Sequence, residues 1–203
     1  MKVAFFSEMG NNQKYPRDFP NARTEVGWCV ALDAPMCHLE HLPKDKFDLG
    51  IVIIPKNNPN VDLNHIRKVC DKVAVMQEGP HWFFQDYSLD KQFHYYNTLV
   101  EADWVYCHNE SDVSYYLGLG CKDVRVMRSL MIPEGLTSRR EILIDSYGDL
   151  PSPKSYEKPK VMIGGNFVSW YGGFDSYIAV RELGYEISAP SMGRKQKQED
   201  AIE

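Results

Sequence analysis

Short apolar runs recur along the chain, each closed by a polar or glycine-containing loop. Val3–Phe6, Met36–Leu39, Leu49–Ile54, Val73–Met76, Trp104–Cys107, Val124–Met127, Val161–Ile163 and Glu186–Ser188 read as β-strands. Several are continuous rather than alternating, as strands buried on both faces are. Between them the apolar spacing switches to the helical period. Ala22, Val26, Cys29 and Val30 share one face behind Asn21 as a cap, and Leu63, Ile66 and Cys70 form the next stripe. Leu89, Phe93, Tyr96 and Val100 form the longest, behind Ser88 as N-cap. Val113, Tyr116 and Leu117 make a helix that stops at Gly118 or Gly120, and a fifth helix from Asp175 to Leu183 stops at Gly184. Strands alternating with helices predict βαβ units. The expected fold is α/β and Rossmann-like, a mostly parallel sheet with helices on both faces.

One stretch breaks the rhythm. Residues 145–160 hold three prolines, three serines and a glycine, the composition of an interdomain linker. The expected organisation is a Rossmann-like domain over 1–144, a linker over 145–160, and the start of a second, incomplete Rossmann-like domain over 161–203. Two strands and one helix do not make a domain. Either this last unit adds to the first sheet or the chain is a fragment of a longer protein, and the second is the expectation.

Composition narrows the class. Of 203 residues, 43% are hydrophobic and 25% charged, values of a folded globular chain. The 23 Lys and Arg against 28 Asp and Glu leave a net charge of −5, and the densest basic run, Arg194-Lys195-Gln196-Lys197, is followed at once by Glu199-Asp200, which argues against nucleic acid as a partner. No apolar run reaches the roughly 18 residues of a membrane span. The apolar start at Met1–Phe6 is too short for a signal-peptide core. Five cysteines without a CxxC pair read as buried thiols in a reduced, cytoplasmic chain.

In a parallel sheet, ligands bind at the carboxyl ends of the strands. The loops predicted at that edge are rich in hydrogen-bonding residues: Ser7–Asn12, Pro55–Asn58, Gln77–Trp82, His108–Ser111 and Gly164–Asn166. The opposite edge carries plain charge, as in Lys44-Asp45-Lys46 and Asp71-Lys72. Gly79-Pro80 turns the chain straight after a strand and presents His81, Trp82 and Asp86. Aromatic planes beside carboxylates and an imidazole suit a sugar, and His81, Glu78 or Asp86 would serve as general base toward a hydroxyl. The alternative is that Trp82, Phe83 and Phe84 plug the core beneath the loop. Arg23 stands where a helix begins, a favourable place for an anion. Gly164, Gly165 and Asn166 would let backbone amides approach a phosphate, the alternative being a tight turn.

Several chemistries are set aside. There is no Walker A loop, full GxGxxG, GxSxG elbow or Asp-x-Asp. Cys37-His38-Leu39-Glu40-His41 contains metal-type residues, but alternation along a strand turns Cys37 and Leu39 away from His38, so no metal is expected. Cys107-His108-Asn109 has the letters of a thiol triad, yet triad members converge from separate segments.

The runs Ala102–Ser111, Tyr116–Gly120, Val124–Met127 and Met131–Gly135 resemble the end of the N-terminal domain of GT-B glycosyltransferases, where an Asn-Gly-type turn precedes the linker. Lys160–Gly165 and Tyr171–Asp175 resemble the opening of that family's second domain. The resemblance implies metal-independent transfer of a sugar from a nucleotide-sugar to an acceptor hydroxyl, with no cofactor. It implies an acceptor site with Trp82, Asn57, Asn109 and Glu110, and a base among His81, Glu78 and Asp86. Gly10, Asn11, Arg23, Gly164, Gly165 and Asn166 would then face the donor. The family's nucleotide-contacting carboxylate lies beyond the end of this chain. The alternative is a non-catalytic Rossmann-like module that binds a sugar or nucleotide. A third reading is a small hydrolase or transferase with a Glu78/His81 site. Partners are a sugar or nucleotide-sugar, and a homo-oligomer stays open.

Overall fold

A computed structural model describes residues 1–20, 24–55, 58–77, 87–130, 132–147, 160–163 and 173–188. The chain divides into two compact units, Met1–Arg140 and Glu141–Glu203.

The first unit is built on six strands, β1 (Val3–Ser7), β2 (Met36–His38), β3 (Phe47–Ile54), β4 (Cys70–Gln77), β5 (Trp104–Cys107) and β6 (Val124–Val126). All pair in parallel, in the order β2-β1-β3-β4-β5-β6. The continuous apolar runs supply the middle of the sheet. In β3 every residue except Asp48 is buried, and β1 buries Val3 through Phe6. β6, at the edge, is half-buried to exposed.

Strand order dictates where the helices go. From β1 the chain steps one way to β2, and from β3 to β6 it steps the other way. Right-handed crossovers then place the helix after β1 on one face and later helices on the opposite face. Trp28 and Cys29 of α1 (Thr24–Ala31) pack with Phe5, Met36 and Ile51. On the other face lie α2 (Leu63–Arg67), α3 (Leu89–Glu101) and α4 (Val113–Gly118). Their Leu63, Ile66, Tyr95, Leu99 and Tyr116 pack with Phe6, Val52, Val75 and Val105. The Rossmann-like α/β architecture with helices on both faces is therefore present.

Three local expectations change and one is narrowed. Cys70 belongs to β4 rather than to the helix before it, because α2 ends at Arg67. Helix α3 buries Tyr95, Thr98 and Leu99, while Leu89, Phe93 and Tyr96 face outward at 71%, 62% and 40% exposure. Both faces carry the helical period, and the inward one includes a threonine that an apolar count passes over. Gly120, not Gly118, takes the left-handed backbone (φ 93°) after α4. Finally, α5 (Pro133–Tyr147) occupies the segment expected to turn and then enter a linker. Pro133 is its first residue, where a missing N–H costs nothing. Helix α5 crosses the unit boundary and includes the first residues of the proline-rich stretch, 145–147. The rest of that stretch up to 159 lies outside the described residues.

In the second unit, β7 (Lys160–Met162) and β8 (Glu186–Ser188) form their own two-stranded parallel sheet, joined through α6 (Gly173–Glu182). They are not added to the six-stranded sheet. Gly184 has φ 74° just after α6, as its position at a helix end predicts.

Candidate functional site

Strand order also locates the crevice. Where neighbouring strands are followed by connections on opposite faces, the loops part at the carboxyl edge, and here that point lies between β1 and β3. A cleft of about 570 Å³ opens there. Glu8 comes from the loop after β1, and His38, Leu39 and Glu40 from the end of β2. Pro55 and Asn58 follow β3, and Asn60, Val61, Asp62 and His65 lead into α2.

Each wall is held by named contacts. Asp62 caps α2 by accepting the backbone N–H groups of Asn64 and His65 at 3.0 and 3.2 Å. Thr98, buried on α3, donates to the Pro59 carbonyl at 2.8 Å and accepts the Val61 N–H at 3.3 Å, which anchors the floor. His38 closes a turn on itself, its Nδ1 accepting the N–H of Glu40 at 3.0 Å and of His41 at 3.3 Å. The rings of His38 and His41 stack with centroids 4.7 Å apart. His65 Nε2 lies 3.3 Å from the Glu40 carbonyl oxygen.

The loop after β1 folds back onto β2. The N–H groups of Asn11 and Asn12 donate to the Met36 carbonyl, and Met36 donates to Gln13. Gly10 is required by this closeness, since a Cβ there would sit 2.0 Å from the Cys37 carbonyl oxygen. Asn12, at φ 60°, accepts the His38 N–H on Oδ1 at 3.0 Å and donates from Nδ2 to the His41 carbonyl at 2.9 Å.

The lining is rich in acceptors. It contributes the carboxylates of Glu8, Glu40 and Asp62, two imidazoles and two amides, and no lysine or arginine among the described residues. Such a surface favours hydroxyl groups or cations and disfavours a phosphate.

The structure distributes the expected site residues unevenly. Gly10 and Asn11 lie beside the cleft, but their backbone N–H groups donate to Ser7 and Met36. Asn109 and Glu110 follow β5, two strands beyond β3 and so roughly 10 Å along the sheet. Glu110 is paired there with Arg128 at 2.9 Å. His81, Glu78, Asp86, Trp82, Asn57, Arg23, Gly164, Gly165 and Asn166 lie outside the described residues. The Cys37–His41 motif looks different from its alternation pattern. Cys37 is indeed buried away from the turn, but β2 ends at His38, so alternation no longer separates His38, Glu40 and His41. Asn60, Asp62, His65 and Thr98 were not legible as site residues, because only strand order brings the loop after β3 beside the end of β2.

The thiols are not poised for catalysis. All five cysteines are free and buried. Burial pushes Cys29, Cys37 and Cys70 up to about 12 and Cys121 to about 11. His108 instead stacks on Trp28, ring centroids 5.7 Å apart, with Nδ1 3.3 Å from the Met127 carbonyl oxygen. Among the described residues no helix is long and apolar enough to cross a membrane. No protein-family model, curated protein or solved structure gives a significant match to the chain.

Proposed function

We propose that the chain is a glycosyltransferase-like protein of GT-B type whose first unit holds a hydroxyl-rich acceptor in the cleft between β1 and β3. The observation that carries this reading is the cleft's acceptor-rich, cation-free described lining at the carboxyl edge. Sugar hydroxyls donate to carboxylates, amide oxygens and imidazole nitrogens of this kind. The donor would be a nucleotide-sugar, and the base one of His81, Glu78 and Asp86, as the sequence resemblance implies. Five free, buried thiols support a reducing, cytoplasmic setting. A second reading, a non-catalytic sugar-binding module, is favoured by the fact that every described lining residue of the cleft belongs to the first unit.

Thermal unfolding of the whole chain with millimolar free sugars, and separately with UDP-, GDP- and ADP-sugars, tests both readings. Stabilisation follows RT ln(1 + [L]/Kd), so weak ligands register. A shift with a sugar that shrinks in Glu8→Gln and Asn60→Ala supports the acceptor cleft. A further shift and turnover with a nucleotide-sugar supports transfer, whereas sugar binding without either leaves the module. No shift with any sugar, or a shift indifferent to both variants, overturns the cleft as a saccharide site.

A further inference from the structure

We propose that the turn from His38 to His41 binds a divalent transition-metal ion through His38, Glu40 and His41. The ligand atoms of these three side chains lie within 4.8 Å of one another. A point between them is no more than roughly 2.8 Å from each, and turning the exposed His41 ring out of its stack on His38 would aim both imidazoles at an ion at the ~2.0–2.2 Å of zinc–nitrogen and zinc–oxygen bonds. Two imidazoles and one carboxylate suit Zn²⁺ or Co²⁺ rather than Mg²⁺ or Ca²⁺, which take oxygen ligands. Glu40 and His41 are exposed and free to adjust, while His38 is half-buried and fixed.

The surroundings favour a cation independently of these three residues. Glu8 and Asp62 line the cleft that His38 and Glu40 also line, and no described lining residue is a lysine or arginine. The frame exists before the ion arrives, because Asn12 binds the backbone at both ends of the turn. Three protein ligands leave coordination positions for water or a cleft ligand.

Proton and hydrogen-bond accounting sets the strength. His38 Nδ1 accepts two backbone N–H groups, so neutral His38 carries its proton on Nε2. Coordination through Nδ1 gives up those contacts, and coordination through Nε2 moves the ring proton to Nδ1, where it displaces the same two N–H groups. Either cost places the affinity below that of a closed structural zinc site, on the order of micromolar. The metal is assigned no step in glycosyl transfer, and the proposal stands whether or not the cleft binds a saccharide.

The test is titration of the whole, metal-stripped chain with Co²⁺ alone, read by visible absorption, followed by competition with Zn²⁺. Saturable absorption at one equivalent, displaced by Zn²⁺, is expected. Glu40→Gln and His41→Asn should each weaken binding at least tenfold without changing the circular dichroism spectrum, since both side chains are exposed. His94→Asn, an exposed histidine on α3, should leave binding unchanged. No saturable binding, or binding that survives both Glu40→Gln and His41→Asn, overturns the assignment.

Discussion

Asn12 and His41 are joined across 29 residues of sequence, Asn12 Nδ2 donating to the His41 carbonyl at 2.9 Å. Its Oδ1 accepts the His38 N–H as well, so one amide clamps both ends of the turn at the cleft. Asn12 also has left-handed backbone, which asparagine tolerates better than most residues. Asn12→Gly relieves the backbone but removes both contacts, and should cost about 1–2 kcal/mol. Asn12→Ala should cost roughly 1 kcal/mol more, because it adds a Cβ in the left-handed region. Urea denaturation of the two variants checks the order. Equal stability of Asn12→Gly and the parent would dissolve the clamp.

Asp103 ties the amino edge of the sheet to α2. It accepts the Val73 N–H at 2.9 Å, Lys72 at 3.1 Å and Arg67 at 3.4 Å. Burial alone would raise its pKa, but these partners outweigh burial and hold it below the ordinary carboxylate range. A folded-state pKa below the unfolded one stabilises fully above the unfolded value, near pH 4. That stabilisation is lost as pH falls through the folded value. Asp103→Asn should therefore lower stability by about 1–3 kcal/mol at pH 7 and flatten the acid limb of a stability–pH curve. An acid limb as steep as the parent's would assign it to other carboxylates.

The orientation of α3 makes a paired prediction. Leu99→Ala removes a side chain 1% exposed and should cost about 2–5 kcal/mol. Phe93→Ser changes one that is 62% exposed and should stay within about 0.5 kcal/mol. Reversed magnitudes in chemical denaturation would mean the helix is rotated.

Thiol accessibility gives a fourth expectation. With every cysteine buried, the native protein should react with Ellman's reagent only on the timescale of opening, and five equivalents should appear at once in denaturant. All five lie in the first unit, so labelling reports the opening of that unit alone. Rapid native reaction of even one thiol would contradict the packing around it.

Why the strands were readable and the cleft was not follows from what periodicity encodes. Leu49–Ile54 and Val73–Met76 are continuously apolar because both faces of β3 and β4 are covered, so they announce themselves. Nothing in a single strand says which neighbour it takes. The insertion of β1 between β2 and β3 brings Glu8, His38 and Asn60 to one cleft, and that is a property of the whole sheet. The aromatic-rich stretch 78–86 is conspicuous in composition, whereas Thr98 and Asp62 act through backbone contacts that composition does not display. Helix α5 has no clear signature in the sequence because Gly135, a weak helix former, sits in its first turn behind a proline that reads equally as a turn.

The connection from β2 to β3 contains no helix among its residues 39–46. By the strand registers it must descend from the level of Ser7 to below Val3 and pass β1, roughly 22 Å, and fully extended it reaches roughly 30 Å. An α/β protein ordinarily trades chemistry in its carboxyl-edge loops while its frame is inherited untouched. Here the segment that begins with His38 is both a wall of the cleft and the wire that carries the chain past its own first strand. Shortening it by roughly three residues would use up that reach and unthread the sheet, and retuning its first residues for a new ligand would draw on the same slack. Divergence of this chain toward other ligands is therefore easiest by exchange of the Glu8, Asn58 and Asn60 side chains, which line the cleft without forming part of that connection.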